Sequence, residues 1–111
     1  MPDIDEPTPE QMDLGTVLAA LADRHRRRVI VALLAEPDGT ERTCASFDLP
    51  VSKATLTHHF RTLRTAGLIR QVNRGNSNMA RLRRAEVSAR FPGLLELLQA
   101  EGERESHSAR S

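Results

Sequence analysis

Two adjacent histidines, His58 and His59, stand in a segment whose residue types could bind a metal ion, transfer a proton or contact an anion. Residues 51 to 78 contain no carboxylate and five lysines and arginines, which are Lys53, Arg61, Arg64, Arg70 and Arg74. Neighbouring residues of a helix point about 100° apart, so these histidines cannot chelate one ion together as i, i+4 histidines could. The segment is therefore predicted to contact a polyanion.

Positive charge is concentrated in the middle of the chain. Residues 42 to 90 carry ten lysines and arginines against two carboxylates, whereas residues 1 to 13 carry five carboxylates and no basic side chain. The net charge is nevertheless only +1. Localised basic charge on a near-neutral protein is typical of a surface that binds nucleic acid. A basic surface that meets only solvent is the alternative that charge alone leaves open.

Length and composition indicate one small cytoplasmic domain. The chain has 111 residues, 39% of them hydrophobic and three of them aromatic, so one modest aliphatic core is expected. No apolar stretch approaches the roughly 18 residues of a membrane span, and no signal peptide is evident. The single cysteine, Cys44, cannot form an internal disulfide. We expect residues 1–12 and 102–111 to be disordered tails around a domain of residues 13–101.

Two helices are predicted ahead of the basic segment. Apolar residues recur at helical spacing in the first, and a second stripe follows Asp23, which can cap its helix, until residues 37–39 (PDG) stop it. The first stripe consists of Leu14, Val17, Leu18 and Leu21, and the second of Val29, Ile30, Leu33 and Leu34.

Four arginines lie near the start of the second helix, where the helix dipole disfavours positive charge. They are Arg24, Arg26, Arg27 and Arg28. We expect them to be solvated or to pair with the acidic N-terminal residues. The alternative is that they contact a partner molecule.

The basic segment itself predicts a helix, a turn and a second helix. Residues 43–49 are expected to form a short helix, and Ser52 and Gly67 to begin and end the next one. The residues of that helix expected to face the core are Leu56, Phe60 and Leu63. Its other face carries Lys53, Ala54, Thr55, Thr57, His58, Arg61, Thr62 and Arg64. Small side chains allow close approach to base edges, and longer cationic ones reach phosphates.

A β-hairpin and a last helix complete the predicted elements. Residues 68 to 83 form two short extended runs around Gly75 and Asn76, which tolerate positive φ. The arginines that would make the hairpin cationic are Arg70, Arg74, Arg81 and Arg83. The last helix presents an apolar stripe and is expected to end near Gly102. That stripe consists of Phe91, Leu94, Leu95 and Leu98.

The run VSKATLTHHFRTLRTAGLI, with ALADRHRRRVIVALL before it and RGNSN after it, resembles the ArsR family of bacterial winged-helix transcriptional regulators. The similarity covers about residues 14 to 85, and its most specific parts are HH-x-x-x-LR-x-AGLI and LAD-x-x-R. It implies a mainly α fold with a small β-hairpin, a winged helix-turn-helix that dimerises through its first and last helices. It also implies a repressor that releases its operator when an effector binds.

The same resemblance implies which residues contact DNA. The positions that match are Lys53, Ala54, Thr55, Thr57, His58, His59 and Arg61, with Arg74 in the wing. Arg64, on the same helix face, and Arg70, on the hairpin, complete the predicted DNA-binding set. His59 is nearer the apolar side of the helix, and its alternative role is a boundary residue that donates to a phosphate.

A homodimer on an inverted-repeat operator is predicted, because the first and last helices carry more apolar surface than one small domain readily covers. The expected interface consists of Leu14, Val17, Leu18, Leu21, Leu94, Leu95 and Leu98. The alternative is that both stripes close the core of a single monomer.

The chain departs from the metal-sensing members of that family. The run TCASFDL has Cys44 alone where thiolate sensors carry paired cysteines, and the predicted last helix has no histidine. Tetrahedral zinc needs about four ligands, so no metal and no other cofactor is predicted. Cys44 is expected to be a buried structural thiol. A thiol- or metal-responsive repressor that uses Cys44 is the alternative.

Catalytic motifs are absent from the sequence, and the chain is predicted not to be an enzyme. It has no His-x-Glu with Cys-x-x-Cys, no glycine-rich phosphate loop and no paired catalytic carboxylates. The expected partners are double-stranded DNA, a second copy of the chain and an unknown small-molecule effector, with no membrane. A winged-helix module that binds protein instead of DNA is the remaining alternative, because a fold does not determine a function.

Overall fold

Five α-helices and a three-stranded antiparallel sheet form the fold of residues 6–110, the part of the chain that this computed structural model describes. The helices are α1 (Leu14–Leu21), α2 (Arg24–Leu34), α3 (Lys53–Ala66), α4 (Arg84–Arg90) and α5 (Leu94–Arg110). The strands are β1 (Glu41–Thr43), β2 (Ile69–Arg74) and β3 (Ser77–Leu82), and 3-10 helices occupy Pro9–Gln11 and Cys44–Phe47. The fold is mainly α with a small hairpin, as predicted. No helix within these residues has the length and apolar character needed to cross a membrane.

Asp13 and Asp23 begin the first two helices. The Asp23 carboxylate accepts hydrogen bonds from the backbone N–H groups of His25 and Arg26 at 2.8 and 3.1 Å, which confirms the predicted cap. Both helices bury their apolar stripes in the core through Val17, Leu21, Val29, Ile30 and Leu33. The two helices therefore provide the surface on which α3 is mounted.

α3 begins and ends where the sequence predicts. Ser52 Oγ accepts a hydrogen bond from the N–H of Thr55 at 3.2 Å, and Gly67 ends the helix in a left-handed conformation with φ 94°. A Cβ atom at Gly67 would lie 2.8 Å from Met12 Cγ. Glycine is therefore required there both for the backbone conformation and for the close contact.

The sheet has the strand order β1-β3-β2, and β2 and β3 form the predicted hairpin. Its register pairs Ile69 with Leu82 at the base and Asn73 with Asn78 near the tip. Alternate residues of a strand share a face, so both pairs lie on the same face of the hairpin. This face is buried and apolar at its base and exposed and amide-bearing toward its tip.

The predicted short helix over residues 43–49 is only partly present. Cys44–Phe47 forms a single 3-10 turn, while Thr43 belongs to β1. β1 and α4 were both missed by the sequence analysis. A strand of three residues is too short to show alternation, and its pairing with β3 is a contact between distant segments.

The N-terminal segment is folded from residue 6 onward, which corrects the expected disordered tail over residues 1–12. Met12 is buried beside Gly67, and its carbonyl oxygen accepts a hydrogen bond from Arg90 Nη2 at 3.2 Å. These contacts join distant parts of the chain, so the polar composition of the segment could not reveal them. Residues 1–5 lie outside the described residues.

α5 continues through Gly102 to Arg110, which corrects the expected helix end and the expected disordered tail over residues 102–111. A Cβ atom at Gly102 would lie 2.7 Å from Val31 Cγ1. The glycine therefore marks a close crossing of α5 over α2 and not a helix end. Ser111 lies outside the described residues.

Four residues predicted for a dimer interface belong instead to the core of this chain. They are Val17, Leu21, Leu95 and Leu98, none more than 7% exposed. Leu14 and Leu18 are 50% and 52% exposed, Leu94 is partly buried, and Leu97 is 65% exposed. Helical spacing identified the apolar stripes but not which side of each stripe the neighbouring helices would cover.

Candidate nucleic-acid interface

α3 presents to solvent a polar face that carries no carboxylate. Buried Phe60 and Leu63 hold the helix against the core, and α1 and α2 pack behind it. The exposed side chains on the other face are Lys53, Ala54, Thr55, Thr57, His58 and Arg61, all of which the sequence analysis selected. The structure therefore brings six of the predicted contact residues onto one helix surface.

Two threonines near the start of α3 differ in the hydrogen-bonding groups they leave available. Thr57 Oγ1 donates to the Lys53 carbonyl oxygen at 3.1 Å, so its methyl group and an acceptor lone pair remain. Thr55 Oγ1 accepts from Ser52 Oγ at 2.9 Å, so its own proton remains. Thr55 can donate to a phosphate or a base acceptor, whereas Thr57 suits a thymine methyl group or a donor.

His59 is buried, with 5% of its surface exposed, and this removes it from the predicted DNA-binding set. Its Nδ1 lies 3.1 Å from Arg26 Nη1 and accepts that hydrogen bond, because arginine has no acceptor. Burial lowers the pKa of His59, the negative charge of Asp23 opposes this shift, and Arg26 adds to it. His59 is therefore a neutral link between α2 and α3, while its neighbour His58 stays exposed.

The arginines at the start of α2 have an internal role that the sequence analysis did not foresee. Arg26 Nε donates to the Ala20 carbonyl oxygen at 2.7 Å, and Arg27 Nη1 donates to the next two carbonyl groups at 2.9 and 3.0 Å. The last carbonyl groups of a helix lack partners and carry partial negative charge. Arg26 and Arg27 thus cap the end of α1, whereas Arg24 and Arg28 are exposed as expected.

Arg74 lies on the hairpin beside its tip, as predicted, but its charge is paired. Its Nε and Nη2 donate to the two carboxylate oxygens of Glu41 at 3.1 and 2.8 Å. These hydrogen bonds hold the pKa of Glu41 below its usual value. The Arg74 side chain is nevertheless 61% exposed and can still be reached from solvent.

Two other arginines that were predicted for the hairpin are committed to ion pairs, Arg70 on the face of β2 opposite the amides and Arg83 directly before α4. Arg70 contacts Glu6 at 2.9 Å and Glu86 at 3.2 Å. Arg83, expected on the cationic surface, is buried and contacts Glu86 at 2.7 Å, which lowers the pKa of that carboxyl. Arg81 is exposed. The hairpin therefore offers less unpaired positive charge than its sequence suggests.

A cleft of about 280 Å³ separates α3 from the hairpin, and half of its lining residues were not predicted from the sequence. The helix contributes Thr57, Arg61 and Arg64, and the hairpin contributes Gln71, Asn73 and Asn78. Arg64 Nη1 contacts Gln71 Oε1 across the cleft. The signal that could have found the amides is strand alternation, which places residues 71 and 73 on one face.

Cys44 lies in a neighbouring cavity of about 400 Å³ near the start of α3. Its Sγ accepts a weak hydrogen bond from Gln71 Nε2 at 3.8 Å. Burial raises the pKa of the Cys44 thiol, and this hydrogen bond opposes the shift. Within residues 6–110, His, Cys, Asp and Glu form no group of three placed to hold a metal ion.

A cavity of about 410 Å³ lies between α2 and α5, away from the face just described. Its apolar lining includes Val31, Ala32 and Leu98 next to Gly102. Its charged lining consists of Arg24, Arg27, Arg28, Glu101 and Glu105. It combines an apolar surface with charges of both signs.

Comparison with known proteins supports this description. No protein-family model and no curated protein matches the chain. A solved structure does match, described as an ArsR-like transcriptional regulator from Rhodococcus sp. RHA1, with 27% sequence identity and a TM-score of 0.57. The match covers 87% of this chain and 89% of that one. The chain is thus a winged-helix protein that resembles an ArsR-like transcriptional regulator along most of its length, as the sequence predicted.

Proposed function

We propose that this protein is a DNA-binding transcriptional regulator and that α3 lies in the major groove of its operator. The main support is the exposed face of α3, which carries no carboxylate and lies beside the hairpin, on a fold similar to that of an ArsR-like regulator. An α-helix such as α3 is about 10 to 12 Å across with its side chains, which suits a major groove about 12 Å wide. The exposed charge favours a polyanionic partner.

The side chains of α3 divide by reach into two proposed roles. Ala54, Thr55, Thr57 and His58 are short enough to meet base edges. Lys53 and Arg61 are long and cationic, which suits phosphate oxygens. Arg64, and Arg74 with its charge shared with Glu41, are proposed as secondary contacts. Arg70 is proposed to stabilise the hairpin and not to contact DNA, because two carboxylates pair with it.

We infer a homodimeric repressor of the bacterial cytoplasm that binds an inverted repeat. Support comes from exposed Leu14 and Leu18 on α1 and exposed Leu97 on α5. Arg90 at the end of α4 donates a hydrogen bond to the carbonyl oxygen of Met12, just before α1. Because α5 follows α4 directly, α1 and α5 begin in the same region. A two-fold pair would place two α3 helices about 34 to 36 Å apart, one turn of DNA.

A small-molecule effector is proposed to bind in the cavity between α2 and α5. That cavity combines apolar lining with arginine and glutamate side chains, as a site for a small polar organic molecule requires. α2 is tied to α3 through the contact of Arg26 with His59. A ligand that shifts α2 would therefore shift the helix proposed to read DNA.

Selection from a pool of random duplexes, followed by fluorescence anisotropy on the enriched sequence, tests the function. We expect an enriched inverted repeat and an affinity that falls steeply with salt. Lys53→Ala and Arg61→Ala should each weaken specific binding by about 1 to 3 kcal/mol if the side chain touches a base, or lower the salt slope by about one if it touches phosphate.

Arg104→Ala is the matched control, because Arg104 is exposed on α5 and its loss changes the net charge equally. A pool that yields no enriched sequence, or variants on α3 that bind like the Arg104 control, would contradict the proposal.

A further inference from the structure

We propose that the cleft between α3 and the hairpin is a phosphate site that holds one sugar–phosphate strand of DNA, with Arg61, Asn73 and Asn78 as its donors. The inference rests on the proposed function and goes beyond it, because it names a second contact surface and the chemical group that enters it. Asn73 lies outside the runs that carry the family resemblance, and Asn78, the last residue of RGNSN, is not among the positions that the resemblance assigns to DNA contact.

The composition of the cleft selects an anion. Its six lining residues include two arginines, three amides and a threonine, and no carboxylate. The carboxylates near the hairpin pair with arginines outside the cleft. Glu6 contacts Arg70, Glu41 contacts Arg74, and Glu86 contacts Arg83. Acidic groups are thus held away from the cleft, while hydrogen-bond donors line it.

Strand geometry explains why the amides converge. Asn73 and Asn78 are directly opposed across β2 and β3, and Gln71 lies two residues from Asn73 on the same face. Opposed residues of an antiparallel pair have Cβ atoms about 4.5 to 5.5 Å apart, so the two asparagine amides can reach the same group. They lie beyond the buried part of the hairpin, where Ala80 opposes Gln71.

Not every polar group in the cleft is available to a ligand. Gln71 is engaged on both sides, with its Oε1 contacting Arg64 and its Nε2 donating to Cys44 Sγ. Within the described part of the chain, the Arg61 guanidinium and the Asn73 and Asn78 amides make no hydrogen bond. The Arg61 guanidinium and the two asparagine amides therefore remain as donors for a phosphodiester oxygen, and Arg64 adds a second positive charge to the lining of the cleft.

The concave shape of the cleft favours a phosphate over a base edge as its ligand. Base edges form the floor of a groove and can be reached only by a protruding element such as α3. Phosphates project from the duplex surface and can enter a cleft. With α3 in the major groove, the strand that separates it from the adjacent minor groove passes between helix and hairpin. Such a contact positions the protein on DNA without reading sequence.

Anisotropy with two duplexes, the selected operator and an unrelated sequence of equal length, tests the inference on the full chain. Asn78→Asp should weaken binding to both duplexes by about tenfold or more, and Asn78→Ala should weaken both by a smaller, equal factor, because a phosphate contact is independent of sequence. Gln99→Glu is the control, since it makes the same amide-to-acid change at an exposed position of α5.

Side-chain amide signals of ¹⁵N-labelled protein, titrated with inorganic phosphate against chloride of equal ionic strength, provide a readout without DNA. Saturable shifts at Asn73 and Asn78 that disappear in Arg61→Ala support the site. Losses confined to the operator, losses equal to those of Gln99→Glu, or no phosphate-specific shift would each overturn it. Phosphate shifts in a protein that binds no duplex would uphold the anion site and refute the proposed function.

Discussion

His58 and His59 show how far the environment of one residue type can diverge between neighbours. His58 is exposed on the face of α3 that we propose meets DNA, whereas His59 is buried and accepts a hydrogen bond from Arg26 at 3.1 Å. The spacing carried this signal, because His59 lies three residues after Leu56 and four before Leu63, in the apolar stripe of the helix. The resemblance to DNA-contacting positions outweighed that spacing and led to the wrong assignment.

The burial of His59 predicts that stability falls in mild acid. Its folded pKa is lowered from 6.5, so the unfolded chain binds the proton more readily. Neutral His59 therefore contributes fully to the free energy of unfolding above pH 6.5. This contribution is lost as the pH falls from 6.5 through the lowered pKa of the folded state. Urea denaturation at about pH 7.5 and about pH 5.5 should show the loss in the native chain and in His58→Gln, and a smaller loss in His59→Gln. Equal losses in all three would contradict the assignment.

The ion pair between Arg74 and Glu41 predicts a variant that binds DNA more tightly. Glu41→Gln should release the Arg74 guanidinium, raise the affinity for DNA of any sequence and steepen the salt slope by about one. Asp38→Asn is the control, because it removes the same charge from an exposed loop residue. Anisotropy across a salt series measures both slopes. Identical slopes for the two variants would show that Arg74 does not gain a phosphate contact.

At the scale of elements, a feature could be predicted when the residues that define it are close together in the sequence. The caps at Asp23, Ser52 and Gly67 depend on neighbours within three or four residues and were found from sequence. β1 depends on pairing with β3, and the folded N-terminal segment on contacts such as that of Arg90 with Met12. Short-range patterns do not encode such contacts, and the amide face of the cleft was missed for the same reason.

Glycine is required at position 67 for two reasons, the left-handed backbone conformation and the close contact with Met12. Stability measurements can separate the two. Gly67→Ala should cost about 1 to 2 kcal/mol for the left-handed backbone and at least about 1 kcal/mol more for displacing Met12, whose Cγ would lie 2.8 Å from the new Cβ. Gly39→Ala is the control, since Gly39 has φ 88° and nothing within 4 Å of an added Cβ. Chemical denaturation compares them, and equal losses would exclude a packing role for Met12.

At the scale of the whole molecule, charge and apolar surface are segregated to different parts. Cationic and amide groups converge around α3 and the inner face of the hairpin. The most exposed large apolar residues within residues 6–110 are instead Leu14, Leu18 and Leu97, on α1 and α5. Exposed leucines on two helices that begin close together favour a protein interface. A symmetric pair that used this surface would leave both cationic faces accessible.

Leu97→Glu tests that arrangement more sharply than a change at Leu95, which is buried in the monomer core and whose replacement would unfold the chain. A charge at Leu97 should split the dimer and abolish binding to an inverted repeat, with the circular dichroism spectrum unchanged, because Leu97 is already 65% exposed. Gln99→Glu adds the same charge about 200° around α5 and should leave the dimer intact. Sedimentation equilibrium at micromolar concentration distinguishes the species. A native chain that sediments as a monomer, or a Leu97 variant that remains dimeric, would exclude this interface and with it the paired spacing of the two α3 helices.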